Sequence, residues 1–353
     1  MSGVWSAGRA EDHLLSLELF GMRFGLDRMH RLMTAMDSPQ QRFQSIHVVG
    51  TNGKSSTVRM VEELLRRHGL RAGSYTSPHL VSFAERIRVD GERIGDAAFA
   101  AAVQRAAQAA ELVDRTLPAG ERVTQFEVLT AAAYSELARR WVEAAVVEAG
   151  LGGRYDATTV IPSRVQVLTN VGLEHTRWLG PTVRDIAREK LAVVRPGGTL
   201  VVGELEPEAE REAVAAADRE GARLVHAGPA PADLALAARG SFQRANFGLA
   251  CAAAEAFMGH LEAVAVQAAA SSVTIPGRCE VVAEQPLTIL DGAHNPAGAR
   301  ALMDSLAEVC EPGRRVVGVV SILEDKDAAG MLRELLPTCG AVVFTRSANP
   351  RAL

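Results

Sequence analysis

The sequence predicts an α/β protein with parallel sheets, divided into two domains. Three observations lead there. Short β-branched runs recur along the chain, from SIHVVG at residues 45–50 to AVVFTR at 341–346. Between most of them lie Ala/Leu/Glu/Arg-rich stretches with helical spacing. The length of 353 residues, 48% hydrophobic and 23% charged, allows a sizeable core in each of about two domains.

In order, SIHVVG is the first strand, and the helix after it places Val58, Val61, Leu64 and Leu65 on one face. Arg66, Arg67 and His68 complement its C-terminal dipole, and Gly69 suits a cap. Further strands are expected at EAAVVEAG (143–150), RVQVLTNVG (164–172), GTLVVGE (198–204), LTILDGA (287–293) and RRVVGVVSI (314–322). AGPAPADLALAARG (227–240) reads as the most loop-like stretch, with LALAA inside it open as a strand. A helix is expected from about 244 to 259, and SSVTIPGR (271–278) reads as a linker because Pro276 and Gly277 punctuate it. The expected domains are therefore 1–275 and 276–353. The second would end at SANPRAL, just past an apolar strand with no helix to cover it, which reads as a C-terminal truncation.

A net charge of −4 argues against a generic nucleic-acid binder. Cys251, Cys279, Cys310 and Cys339 form no CxxC pair, so neither a disulfide framework nor a zinc site is expected. The N-terminus has no apolar signal core, and no run reaches the roughly 18 apolar residues of a membrane span. A cytoplasmic protein without membrane contact is the expectation.

Gly50-Thr51-Asn52-Gly53-Lys54 follows the first strand and opens a helix, where backbone N–H groups and a lysine favour an anion. The strict phosphate-loop pattern wants glycine at Val48, so a plain strand-to-helix turn stays open on these residues alone. Glu148 closes a run apolar on both faces, at the carboxyl end where ligands of open sheets bind, ahead of a glycine-rich turn and Asp156. Glu174 and His175 repeat that placement after a second strand. Lys190 lies on an amphipathic helix, where the residues alone favour a solvated lysine paired with nearby carboxylates such as Asp185. Asp291, His294 and Asn295 sit between a strand and a helix, although a cap by Asn295 with Pro296 in the first turn accounts for part of that pattern. Arg278 lies in the linker.

Taken together and in order, IHVVGTNGKSST, YTSPHLVSFAERIRVDGERI, TQFEVLTAAAY, VEAGLGGRYDATT, LTNVGLEHTRWLG, IAREKLAVVRPGG, PGRCEVV, LDGAHNP and SILEDKD resemble the folylpolyglutamate synthase/dihydrofolate synthase family of the Mur ligase superfamily. The resemblance runs from FGLDRMHRLM to the last residue. It implies a P-loop parallel-sheet ATPase domain followed by a smaller Rossmann-like α/β domain. The implied reaction is ATP-dependent joining of L-glutamate to a folate or dihydropteroate carboxylate through an acyl phosphate. ATP and Mg2+ are the implied cofactors, and a monomer is the family default.

By position, the resemblance gives ATP to Gly50, Thr51, Asn52, Gly53, Lys54, Ser55, Ser56, Asn246, Arg278 and Asp291. It gives metal to Ser56, Ser77, Glu148 and His175, and the pterin side to Phe126 and Asp156. Lys54, His175, Lys190, Arg278 and His294 would be catalytic, with Lys190 matching a lysine carbamylated in the family. One departure is Ser55 where glycine is usual, so either Ser55 or Ser56 could meet the metal. The other is the short second domain, from which low activity is expected. These departures keep a non-catalytic nucleotide-binding relative in view, beside a Mur-type peptide ligase of cell-wall synthesis.

Overall fold

The structure is a computed structural model and describes residues 3–17, 25–311, 313–349 and 351–353. Phe24, which opens the FGLDRMHRLM motif, and Pro350 lie outside the described residues. The chain forms two compact units, residues 1–228 with 249–269, and residues 229–248 with 270–353.

In the first unit, helices α1 (Ala7–Ser16) and α2 (Asp27–Ala35) precede strand β1 (Gln44–Val49) and helix α3 (Lys54–Arg67). Then come β2 (Ala72–Tyr75), β3 (Ile87–Val89), β4 (Glu92–Arg93), α4 (Asp96–Asp114), α5 (Gln125–Arg139), β5 (Ala144–Glu148) and β6 (Val165–Leu168). The series continues with α6 (Thr176–Leu179), α7 (Val183–Leu191), β7 (Thr199–Val202), α8 (Pro207–Glu220) and β8 (Arg223–His226). The eight strands form one sheet in the order β4-β3-β2-β5-β1-β6-β7-β8. Its pairings are parallel from β2 to β8, while β2–β3 and β3–β4 are antiparallel. β1 lies between β5 and β6, where successive connections leave in opposite directions; the crevice at the carboxyl ends of such strands is where open sheets bind ligands.

The expected face of α3 is buried throughout: Val58, Val61, Leu64 and Leu65 are all 0% exposed. Gly69 follows the helix at φ 83°, and the Leu70 N–H donates to the Leu65 carbonyl, which satisfies the frayed end. Side chains of β5 alternate between layers. Ala145 and Val147 join a core built with α1, α2, α4 and α5, and Val146, also buried, points the other way. β1 and β6 meet a second core with α7 and α8 through Val49 and Leu168. Both faces of the central strands are thus covered, as their unbroken apolar runs require.

α9 (Phe242–Met258) contributes to both units, and α10 (Ala263–Ser272) follows it. The second unit holds β9 (Glu280–Glu284), β10 (Leu287–Leu290), α11 (Pro296–Val309), β11 (Val316–Val320), α12 (Ala328–Leu335) and β12 (Cys339–Phe344). β9 and β10 pair antiparallel, β11 and β12 parallel. Its small core gathers Ala299, Ile322, Met331 and Leu335. LALAA forms no strand: residues 234–238 are irregular, with the Ala237 N–H donating to Ala270 O outside any ladder. Alanine has little β preference to drive pairing there. No helix among the described residues is long and apolar enough to cross a membrane.

Candidate active site

The loop after β1 is stitched to the loop after β6. Thr51 N–H donates to the Asn170 carbonyl at 3.0 Å, Asn52 N–H to Asn170 Oδ1 at 2.9 Å, and Thr169 Oγ1 to the Asn52 carbonyl at 2.6 Å. Gly50, at φ 151°, makes this approach possible. A Cβ on it would stand 1.8 Å from Thr169 Oγ1, so a side chain there is excluded. Gly53, at φ 83°, turns the chain into α3, whose first residue is Lys54. The first backbone N–H groups of a helix have no intrahelical partner, so this helix start suits an anion.

Two amines share one carbonyl beneath this loop. Lys54 Nζ donates to the carbonyls of Gly50 at 3.1 Å and Thr51 at 3.0 Å. Lys190 Nζ, brought in by α7, donates to the same Gly50 oxygen at 2.7 Å. Burial pulls the Lys190 amine down to about 7, and Lys54 pushes the same way, against Glu174 and Asp156. Lys190 is 4% exposed, so the reading as a solvated surface lysine does not hold.

Glu148, at the carboxyl end of β5, is buried and bridges two segments. Its Oε1 accepts from Ser55 Oγ at 3.0 Å and its Oε2 from the Ser77 N–H at 3.1 Å. The hydroxyl bonded to Glu148 is therefore that of Ser55, the residue that departs from the family pattern. Ser56 is buried on the same turn of α3. His175 stands at the start of α6 in the left-handed region, φ 52°, with Nε2 3.5 Å from Glu174 Oε1. Among the described residues no three His, Cys, Asp or Glu side chains cluster as a metal site.

The glycine-rich turn after Glu148 is held from inside by Asp156. Its Oδ2 accepts from the Leu151 N–H at 2.8 Å, and its Oδ1 from the Thr158 N–H at 3.0 Å and from the Thr158 hydroxyl. That hydroxyl gives its proton to Asp156, so His47 Nε2, 2.8 Å away, donates to it. Burial drives the His47 ring down to about 3, and the ring stays neutral in this role. Burial also raises the Asp156 carboxyl, against its hydrogen bonds. At Gly153 a Cβ would meet the Lys190 carbonyl oxygen at 2.5 Å, so the turn rests directly on the end of α7. Phe126 packs under Gly150 and stacks on Tyr75, ring centroids 6.2 Å apart.

In the second unit Asp291 Oδ2 accepts from the Cys279 N–H and Oδ1 from the Ala293 N–H, both at 2.7 Å. Burial raises its carboxyl, while Arg278 and His294 nearby lower it. Arg278 Nη1 donates to the Gly277 carbonyl at 3.1 Å, and His294 Nδ1 to the Gly292 carbonyl at 3.0 Å. Asn295 caps α11 through the Gly298 N–H at 2.8 Å, as its sequence context suggested. On α9, Asn246 Nδ2 donates to Gln243 Oε1 at 2.9 Å.

The profile of the Mur ligase glutamate ligase domain matches residues 277–353. The dihydrofolate synthase/folylpolyglutamate synthase of Mycobacterium tuberculosis is 38% identical, over 93% of this chain and 75% of that protein. The enzyme of the same name from Bacillus subtilis is 33% identical, over 94% of this chain and 83% of its own length. This chain belongs to the dihydrofolate synthase/folylpolyglutamate synthase family. Among solved structures, M. tuberculosis folylpolyglutamate synthase complexed with ADP and AMPPCP superposes with a TM-score of 0.91 at 37% identity, over 97% of this chain and 83% of that one. An FPGS–AMPPCP–folate complex gives a TM-score of 0.89 at 30% identity, over 96% and 89% of the two chains.

Within the family motif SPHLVSFAERIRVDG lie groups to which the sequence reading gave no role. Arg86 is half-buried, interacts with Glu148 and Tyr75, and donates from Nε to His79 Nδ1 at 3.0 Å. That bond leaves the His79 proton on Nε2, and burial with Arg86 lowers the ring to about 4. Arg59 on α3 is also half-buried and senses Glu148. The signal available was a basic residue within a family motif, but sequence spacing alone does not show that it turns toward Glu148.

Proposed function

We propose that this chain is an ATP-dependent amide ligase that joins L-glutamate to the carboxylate of a folate-type substrate. The observation that carries the reading is the arrangement around Gly50: an anion seat at the start of α3, two lysines on one carbonyl, and Glu148 held by Ser55 and Ser77. In the reaction a substrate carboxylate oxygen attacks the γ-phosphorus of ATP, ADP leaves, and an acyl phosphate forms. The glutamate amine then attacks the acyl carbon, loses a proton, and phosphate departs with the bonding pair. Lys54 offsets charge on the phosphoryl oxygens, an effect strengthened where water is excluded.

Magnesium suits the donor set: a carboxylate and hydroxyls are the hard oxygen ligands it takes, often together with substrate phosphates. Glu148, Ser55 or Ser56, Ser77 and His175 would hold it, and when bound it neutralises phosphoryl charge. At neutral pH a substantial share of Lys190 is the free amine, because its pKa is about 7. That form can add to CO2, its nitrogen bonding to carbon with loss of a proton, to give the carbamate. Phe126 and Asp156 are assigned to the pterin side. On the second unit we assign Arg278 to the γ-phosphate, Asp291 to ribose, Asn246 to adenine and His294 to the glutamate side.

Phosphate release with ATP, magnesium and glutamate tests this, comparing dihydropteroate with a reduced folate. Release that needs glutamate and one of the two substrates is expected, and the preferred substrate separates dihydrofolate synthesis from polyglutamylation. Nucleotide binding without glutamate-dependent release would overturn the reading in favour of a non-catalytic relative.

A further inference from the structure

A groove of about 430 Å³ opens on the first unit, lined by Arg71, Ala98, Ala101, Arg105, Glu136 and Arg139 together with Arg140 and Trp141. Arg71 precedes β2 and Trp141 precedes β5, so it lies at the amino ends of strands whose carboxyl ends lead to Ser77 and Glu148. The five residues of β5, at about 3.3 Å each, separate it from the candidate active site.

Two observations point to a ligand. The first is Trp141, which follows α5 at φ 55°, in the left-handed position normally filled by glycine. Its N–H donates to the Ala138 carbonyl at 3.1 Å, and the Val142 N–H donates to the Leu137 carbonyl at 3.2 Å, so the helix end would form with glycine. A bulky residue there is strained. Burial does not offset the strain, because Trp141 is 81% exposed. Among the described residues no ring or guanidinium stacks on its indole. Functional or strained positions are where local rules are broken without compensation.

The second observation is charge. Glu136 is the lone carboxylate in the lining, and it is shared by Arg105 at 3.0 Å, Arg140 at 2.8 Å and, loosely, Arg139 at 4.0 Å. The Arg71 guanidinium has Asp90 at 3.7 Å, and the Arg71 backbone N–H donates to Glu143 Oε2 at 2.8 Å. Guanidinium groups therefore outnumber carboxylates, and Arg139, 63% exposed, is the one best placed to engage an anion.

We propose that this groove is a second ligand site, which takes a planar heteroaromatic anion. The ring stacks on the Trp141 indole, its anionic group meets Arg139 and Arg71, and Ala98 and Ala101 leave room beneath it. Purine nucleotides and pteroyl compounds share this chemistry, and separate arms of the test distinguish them. The site stands independently of the catalytic assignments around Lys54.

Replacing Trp5 and Trp178 by phenylalanine leaves Trp141 as the sole indole reporter among the protein's three tryptophans. Its fluorescence is titrated with ADP, with folic acid and with inorganic phosphate, corrected for absorbance with free N-acetyltryptophanamide. Saturable quenching by ADP or folic acid is expected, the responding compound identifying the source. Arg139→Glu should raise half-saturation at least tenfold while phosphate release at the active site stays unchanged. By equilibrium dialysis, Trp141→Phe should retain the additional site and Trp141→Ala lose it, with circular dichroism reporting that both are folded. Absence of saturable quenching up to millimolar ligand would overturn the proposal, as would indifference to Arg139→Glu. Phosphate binding as tightly as ADP and folic acid would overturn the requirement for a ring. Concentration-dependent self-association abolished by Trp141→Ala would instead make the indole a contact between copies.

Discussion

β5 and β11 have nearly the same apolar composition and opposite surroundings. AAVVE in β5 is buried at every position, Glu148 included. VVGVV in β11 alternates, with Val317 54% and Val319 70% exposed, and its partner β12 exposes Val343 at 52% and Phe344 at 64%. The difference lies in what packs against the strands. β5 has β1 and β2 on its edges and layers on both faces, whereas among the described residues β11 pairs with β12 alone and leaves apolar side chains uncovered. An apolar run therefore states what a strand needs, not what it receives. The candidate site lies at the end of the fully covered strand, where burial can lower an amine or hold a carboxylate in one orientation.

The sharpest test of the contrast places a charge on each strand. Val146→Asp buries an unpaired carboxylate and should cost more than about 4 kcal/mol in urea unfolding, enough to abolish a cooperative transition. Val319→Asp should stay within about 0.5 kcal/mol of the parent. Equal losses would break the comparison. Next in size, Lys54→Ala should lower phosphate release roughly 10²–10³-fold, the scale of one pre-organised charged donor, with unfolding little changed. Persistent release would place the chemistry elsewhere.

The third test uses pH. Between about 7 and the ordinary 10.5, folded Lys190 binds fewer protons than the unfolded chain does, so stability rises with pH across that window. Lys190→Met should therefore raise the thermal midpoint at pH 6 by about 5 °C. The gain should shrink steadily as the pH is taken from 7 toward 10, and a pH-independent gain would mean that the amine is not held in its depressed state. The smallest effect expected is that of Phe344→Ser, within about 0.5 kcal/mol by the same measurement. A large loss would show that this face is covered in solution.

What the sequence revealed follows the same physics. The long parallel strands were legible because burial on both faces demands unbroken β-branched runs, and the α3 face because its period survives over three turns. β2, β3 and β4 escaped notice: AGSY has no β-branched residue, IRV is three residues long, and Glu92 and Arg93 are exposed edge residues with no period to read. LALAA matched a strand in hydrophobicity but lacked both the β-branched residues and a ladder. Around the site, the positions of Lys54 and Glu148 relative to strand ends were readable. The orientation of Ser55 toward Glu148 was not, because adjacent hydroxyls differ only in the direction a helical turn gives them. The depth of Lys190 was hidden because helical spacing gives a face without showing what lies over it.

The close approach of Gly50 to Thr169 reaches into the evolutionary record of the fold. A Cβ at position 50 would stand 1.8 Å from the Thr169 hydroxyl, and that hydroxyl also closes onto the Asn52 carbonyl. Neither position is free to drift alone. Across descendants of this sequence the two should stay fixed together, because a smaller residue at 169 would still leave a Cβ at 50 strained at φ 151° and 3.2 Å from the backbone nitrogen of 169. Two loops more than a hundred residues apart in the chain would then share one line of descent.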